Sequence, residues 1–160
     1  KPDELDLSSF NLKMLVEHVH KKMSHLAEEK HLNVLTDLDD VYVEADSDQI
    51  MTVVMNLYSN AIRYTSSDEA IYITIERYDK TARFEIENTG IFIPENELDL
   101  IWEPFYRLEK SRNRDSGGTG LGLLIVSKIL ELHQSNYGVI NTERGVKFYF
   151  ELNIDPDFDE

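Results

Sequence analysis

GGTGLGLLIV (residues 117–126) places four of the chain's seven glycines directly ahead of an apolar run with the look of a helix start. Glycine lets backbone N–H groups approach a ligand with no Cβ in the way, and a helix N-terminus carries unpaired N–H groups of partial positive charge. The junction suits a phosphate. Immediately before it Arg107, Lys110, Arg112 and Arg114 supply four of the sixteen Lys and Arg within eight residues. The whole chain is acidic, with 31 Asp and Glu and a formal net charge of −15, which argues against a general nucleic-acid binder. A local reversal of sign in such a protein points to an anionic ligand.

At 160 residues, 41% of them hydrophobic, the chain has the size of one domain with a core of its own. It has no cysteine, so disulfides and thiolate metal sites are excluded and a reducing, cytoplasmic setting is natural. No run reaches the roughly 18 consecutive apolar residues of a membrane span, and KPDELDLSSF does not read as a signal peptide. The sequence is read as a soluble domain.

Residues 1–9 read as a linker, residues 10–153 as the domain and residues 154–160 as an acidic tail. Leu12, Leu15, Val16, Val19, Met23 and Leu26 recur at helical spacing, with a cap expected at Ser8 or Ser9. His18, His20, His25 and His31 on or near this helix are read as surface or packing residues. Val41 to Ala45 is a strand candidate, and Asp46 or Ser47 would cap a second helix whose apolar stripe is Ile50, Val53, Val54, Leu57 and Ala61. Asn56, Asn60 and Arg63 lie on a neighbouring stripe, because i, i+4 and i+7 face one way.

Alternation of Ile71, Ile73, Ile75 and of Phe84, Ile86 around Asp79-Lys80 predicts an antiparallel hairpin, and YGVINT with VKFYFEL predicts another. Pro94 and Glu95 would open a short helix that Pro104 closes. The expected fold is an α/β (α+β) two-layer sandwich: a mixed, mainly antiparallel sheet of about five strands with three main helices on one face.

NLYSNAIRYT, ENTGIFIP, EPFYR and GGTGLGLLIV, in this order and at these separations, resemble the N, G1, F and G2 boxes of the catalytic ATP-binding domain of sensor histidine kinases. That family shares its Bergerat nucleotide fold with gyrase, Hsp90 and MutL, and the resemblance runs from about Phe10 to Leu152. It implies ATP and Mg²⁺ as cofactors. Asn60 matches the metal-ligating asparagine, a hard carboxamide oxygen suited to Mg²⁺. Asn56 stands where related ATPases carry a water-activating glutamate; an amide cannot be a general base, which favours phosphoryl transfer over hydrolysis. Arg63 would meet phosphate and Tyr64 would pack on adenine.

In the G1 box, aligned on Ile93-Pro94 with Gly90 in place, Asn88 replaces the aspartate that accepts from the adenine amino group and Phe92 replaces a glycine. Both departures imply weaker ATP binding, as in some kinases of the vancomycin-response type, or put Phe92 in the core. Phe105 would anchor the root of a lid with Trp102 beneath it, and Arg107, Lys110, Arg112 and Arg114 would reach the phosphates from that lid. Gly117, Gly118, Gly120 and Gly122 would let it swing and, with Thr119, cradle the triphosphate, while Leu121 and Leu123 begin the buried face of the helix.

The resemblance implies partners as well: a dimerisation and phospho-acceptor domain that supplies the target histidine, and a response regulator. No histidine in this sequence sits in the family's acceptor motif. The isolated domain is expected to be a monomer, its parent a homodimer in the cell membrane with this part facing the cytoplasm. Two other readings are a nucleotide-binding interaction module without kinase activity, motivated by Asn88 and Phe92, and a gyrase-like ATPase, opposed by Asn56.

Overall fold

The computed structural model describes residues 4–106 and 121–158. In chain order its elements are β1 (Ser8–Asn11), α1 (Leu12–Glu29), β2 (Asn33–Leu38), β3 (Tyr42–Ala45), α2 (Ser47–Tyr64), β4 (Ala70–Tyr78), β5 (Thr81–Thr89), α3 (Gly122–Leu132), β6 (Tyr137–Asn141) and β7 (Gly145–Asn153). Five strands form one sheet in the order β2-β4-β5-β7-β6. All its pairings are antiparallel except the edge pair β2 and β4. A two-layer arrangement with a mixed, mainly antiparallel sheet is therefore what the alternation in the sequence predicts.

The period of two decides which face is covered. Ile71, Ile73 and Ile75 of β4, Ala82, Phe84 and Ile86 of β5, and Val146, Phe148, Phe150 and Leu152 of β7 are all buried. Directly paired Phe84 and Phe150 stack with ring centroids 4.9 Å apart. Against this face lie the buried stripes of α1 (Leu12, Leu15, Val16, Val19, Met23, Ala27) and α2 (Ile50, Val53, Val54, Leu57, Tyr58, Ala61). Burial of a large apolar side chain is worth about 1.5–3 kcal/mol, so these stripes hold the helices to the sheet. The other face carries Arg83, Glu85, Lys147 and Glu151, joined by ion pairs of 2.8–3.1 Å.

Several expectations are corrected. Ser8 and Ser9 do not cap α1 but form half of β1, which pairs with β3; the cap is Asn11, whose side chain accepts from the Met14 N–H. Leu26 is 41% exposed and Ala27 takes its place in the stripe. β2 went unforeseen in the sequence. The segment after Pro94 forms two 3-10 turns, Glu95–Glu97 and Leu100–Trp102, in place of one helix. Residues 154–158, expected as tail, are anchored: Ile154 bridges to Val43, and Phe158 stacks on Tyr42 at 4.7 Å.

Helix α2 is secured at both ends. Asp46 caps it, its carboxylate accepting from the N–H of Gln49 at 3.2 Å and of Asp6 at 2.9 Å, and its own N–H donates to His133 Nε2 at 3.1 Å. At the far end the Lys30 ammonium donates to the carbonyls of Ile62 (2.7 Å) and Arg63 (2.9 Å), filling acceptors that a helix C-terminus leaves open. Burial, then the Arg63 charge, hold the Lys30 amine below its ordinary value. Replacing Asp46 with Ala removes a cap and the tie to Asp6, and the expected cost is about 1–2 kcal/mol in urea unfolding.

Candidate functional site

The neighbouring stripe of α2 behaves as its spacing predicts. Asn56, Asn60 and Arg63 are half-buried beside the apolar face. Asn56 uses its Nδ2–H on the Thr52 carbonyl, 3.0 Å away, which leaves Oδ1 free of that bond. Asn60 makes no side-chain hydrogen bond among the described residues. Arg63 places its guanidinium 6.0 Å from the centroid of the Tyr64 ring.

At the start of α3, Gly122 comes up against this stripe. A Cβ on Gly122 would stand 3.0 Å from Asn56 Oδ1, so the absence of a side chain lets the helix start approach the asparagine. No side chain caps this terminus, and α2 packs against α3. Leu121 and Leu123 are half-buried; Leu123 packs against the core as expected, and the fully buried residues of α3 are Val126, Ser127, Ile129 and Leu130. Arg107, Lys110, Arg112, Arg114, Gly117, Gly118, Thr119 and Gly120 lie outside the described residues.

The end of β5 is the third part. Asn88 is 4% exposed in the row that carries Ala82, Phe84 and Ile86, and no protein group hydrogen-bonds its amide among the described residues. Its neighbours are engaged. Thr89 Oγ1 donates to Glu69 Oε1 at 2.7 Å and accepts from the Ala70 N–H at 2.9 Å. Gly90 turns with φ +83, donates its N–H to the Arg144 carbonyl, and leaves no room for a Cβ, which would meet the Glu69 carboxyl at 2.6 Å. A left-handed backbone with that neighbour requires glycine.

Asn141 of β6, which the sequence did not single out, clamps the loop that follows. It accepts from the Ile93 N–H at 2.9 Å and donates to the Ile93 carbonyl at 2.7 Å. Ile93 is thereby buried while Phe92 is 49% exposed, so Phe92 is not a core residue. Phe105 is 71% exposed with φ 65 and does not anchor the segment. Trp102 does, edge-on to Tyr137 and Phe148 at 5.3 and 5.8 Å.

On the opposite face of β5, Glu87 accepts from Arg144 Nε at 3.0 Å and Nη2 at 2.9 Å, and from the Thr142 hydroxyl. The Arg144 guanidinium also lies 3.7 Å from the Tyr72 ring centroid. Burial alone would raise the Glu87 carboxyl, but these bonds and the charges of Arg144 and Lys147 outweigh it and hold it below the ordinary value. The cluster braces the turn that bears Arg144, whose carbonyl receives Gly90.

Among the described residues no group of three or more His, Cys, Asp and Glu could hold a metal, and no helix is long and apolar enough to cross a membrane.

Residues 45–156 match the family described as histidine kinase-, DNA gyrase B-, and HSP90-like ATPase. Sensor histidine kinase YclK of Bacillus subtilis is 36% identical over 141 residues, covering 86% of this chain and 30% of the relative. The histidine-protein kinase BaeS of Escherichia coli is 36% identical over 120 residues, 74% of this chain and 26% of the relative. Among solved structures, the catalytic domain of histidine kinase ThkA superposes with a TM-score of 0.84 at 32% identity, covering 95% of this chain and 98% of that one. ThkA is also known in complex with the response regulator protein TrrA, with a TM-score of 0.81 at 30% identity over 97% of this chain and 44% of that one. The chain spans a third or less of the curated relatives' length.

Because the folded Glu87 carboxyl titrates below its ordinary value of 4.5, its stabilisation is complete above that pH and is lost as pH falls through the lower folded value. Glu87→Gln is expected to cost about 1 kcal/mol at neutral pH and to flatten the acid limb of a stability-against-pH curve.

Proposed function

Because the chain belongs to the histidine kinase-, DNA gyrase B-, and HSP90-like ATPase family, we propose that it binds Mg²⁺-ATP between α2, the end of β5 and the start of α3, and passes the γ-phosphate to a histidine of a separate dimerisation domain. The observation that carries this reading is the approach of Gly122 to Asn56 Oδ1. It puts a helix N-terminus, which favours phosphate oxygens, beside a row of amides. Asn60, whose amide no described residue engages, offers a hard oxygen to a cation that takes its other ligands from phosphates and water. That donor chemistry fits Mg²⁺, and the ion would neutralise charge on the phosphates.

Within this reading the chain's own residues bind and orient. Arg63 faces phosphate, Tyr64 and Ile93 wall the base, and Asn88 reads its edge. Asn56 holds the triphosphate without acting as a base, because an amide does not take a proton near neutral pH. Transfer to histidine needs no such base: a neutral imidazole nitrogen forms the P–N bond as the bond to the β-phosphate bridging oxygen breaks and ADP leaves. Alignment and charge neutralisation are the protein's share of the catalysis. The acceptor domain and a response regulator are the partners in this reading, the whole protein is a homodimer held in the cell membrane, and this part is a cytoplasmic monomer when isolated.

Two measurements test it. Calorimetry should show Mg²⁺-dependent ATP binding that Asn60→Ala weakens on the order of tenfold or more, the scale set by disrupting a metal site. Absence of wild-type binding at millimolar ATP overturns the proposal. With labelled ATP and the acceptor domain added in trans, phosphohistidine should form. Binding without transfer would favour the interaction module, and steady phosphate release from the chain alone would favour the ATPase.

A further inference from the structure

We infer that Asn88 makes this site tolerant of the purine's 6-substituent, so that inosine and guanosine triphosphates bind in the same place as ATP. The inference rests on the nucleotide reading above and adds the class of nucleotide to it.

Asn88 is the polar member of an otherwise apolar row. It follows Ala82, Phe84 and Ile86 on the covered face of β5, and its strand partners in register are Ile71 and Val146, both buried. No group among the described residues hydrogen-bonds its amide. Its sequence neighbours are held: Glu87 by Arg144 and Thr142, and Thr89 by Glu69 and Ala70. Asn88 stands between them, where the row meets the proposed base.

A carboxamide carries a donor and an acceptor side by side. The adenine edge that bears N1 presents the complement, an amino donor at C6 and an acceptor at N1. Hypoxanthine and guanine present the reverse on the same edge, a carbonyl acceptor at C6 and an N1–H donor. Turning the amide by half a rotation about its last torsion exchanges its two ends, and the bidentate pair forms again. In most buried asparagines a protein partner fixes that torsion. Among the described residues the flip breaks no hydrogen bond, so both classes of purine meet a matched edge. A carboxylate in the same place carries acceptors alone, so it could take one bond from either edge, from the adenine amine or from the oxopurine N1–H, and would face an unmatched acceptor in both.

Titration of the folded chain with ATP, ITP, GTP and CTP at constant Mg²⁺ tests this, ITP being the cleaner probe because it lacks guanine's 2-amino group. ITP is expected to bind wild type within about threefold of ATP, whereas Asn88→Asp, which can bond either purine edge once and not twice, should weaken ATP and ITP alike by about tenfold or more, the usual worth of a bidentate base contact. Wild-type ITP binding ten times or more weaker than ATP overturns the inference and leaves the ATP site standing. CTP binding as tightly as ATP overturns it differently, by showing that phosphates alone carry the affinity. Failure of every nucleotide to bind overturns the underlying ATP reading. Should Asn88→Asp not fold, as judged by circular dichroism, the wild-type series decides by itself.

Discussion

The position of α2 is fixed by two sets of bonds at its ends, the Asp46 carboxylate over its first turn and the Lys30 ammonium on its last carbonyls. Buried stripes alone tolerate small slides and rotations, because apolar contact has no direction. Hydrogen bonds at both termini remove that freedom. An i, i+4, i+7 row of Asn56, Asn60 and Arg63 is useful only if it faces the same way in every molecule, and the approach of Gly122 to Asn56 leaves no slack for a turned helix.

The charge distribution follows the two-layer plan. With one face of the sheet covered by helices, the other collects the charged half of the alternation, and Arg83, Glu85, Lys147 and Glu151 pair there. Such half-exposed pairs contribute little individually. Their larger effect is positional: Arg83 also lies 4.0 Å from the Tyr149 ring centroid, and Arg144 bridges Glu87 and Tyr72, so long side chains are laid flat across the strands. The Arg144 carbonyl then meets Gly90, which ties this ladder to the turn beyond Asn88 on the other side.

The hairpins and helix stripes were legible because each buries one side of a regular period, and the spacing records that burial. β2 was not, since as an edge strand it leaves most of Asn33–Leu38 uncovered and shows no alternation. β1 reads as a linker by composition; its pairing with β3 is a contact across the chain that also moves the helix cap from Ser8 or Ser9 to Asn11. In the site, Asn56, Asn60 and Gly122 could be read from motif and spacing. Lys30, Glu69 and Asn141 could not, because their roles are bonds to carbonyls, a hydroxyl and a loop distant in sequence. Phe92 was open between core and surface until the clamp on Ile93 turned it outward.

Strand β3 touches both extremities of the described chain: β1 pairs along it, Ile154 bridges to its Val43, and Phe158 stacks on its Tyr42. The residue after it is Asp46, the cap of α2, which also holds the Asp6 N–H and binds His133 just beyond α3. A pull or twist delivered through either extremity is thus borne by the same four-residue strap and passed, one residue later, to the axis on which the asparagines ride.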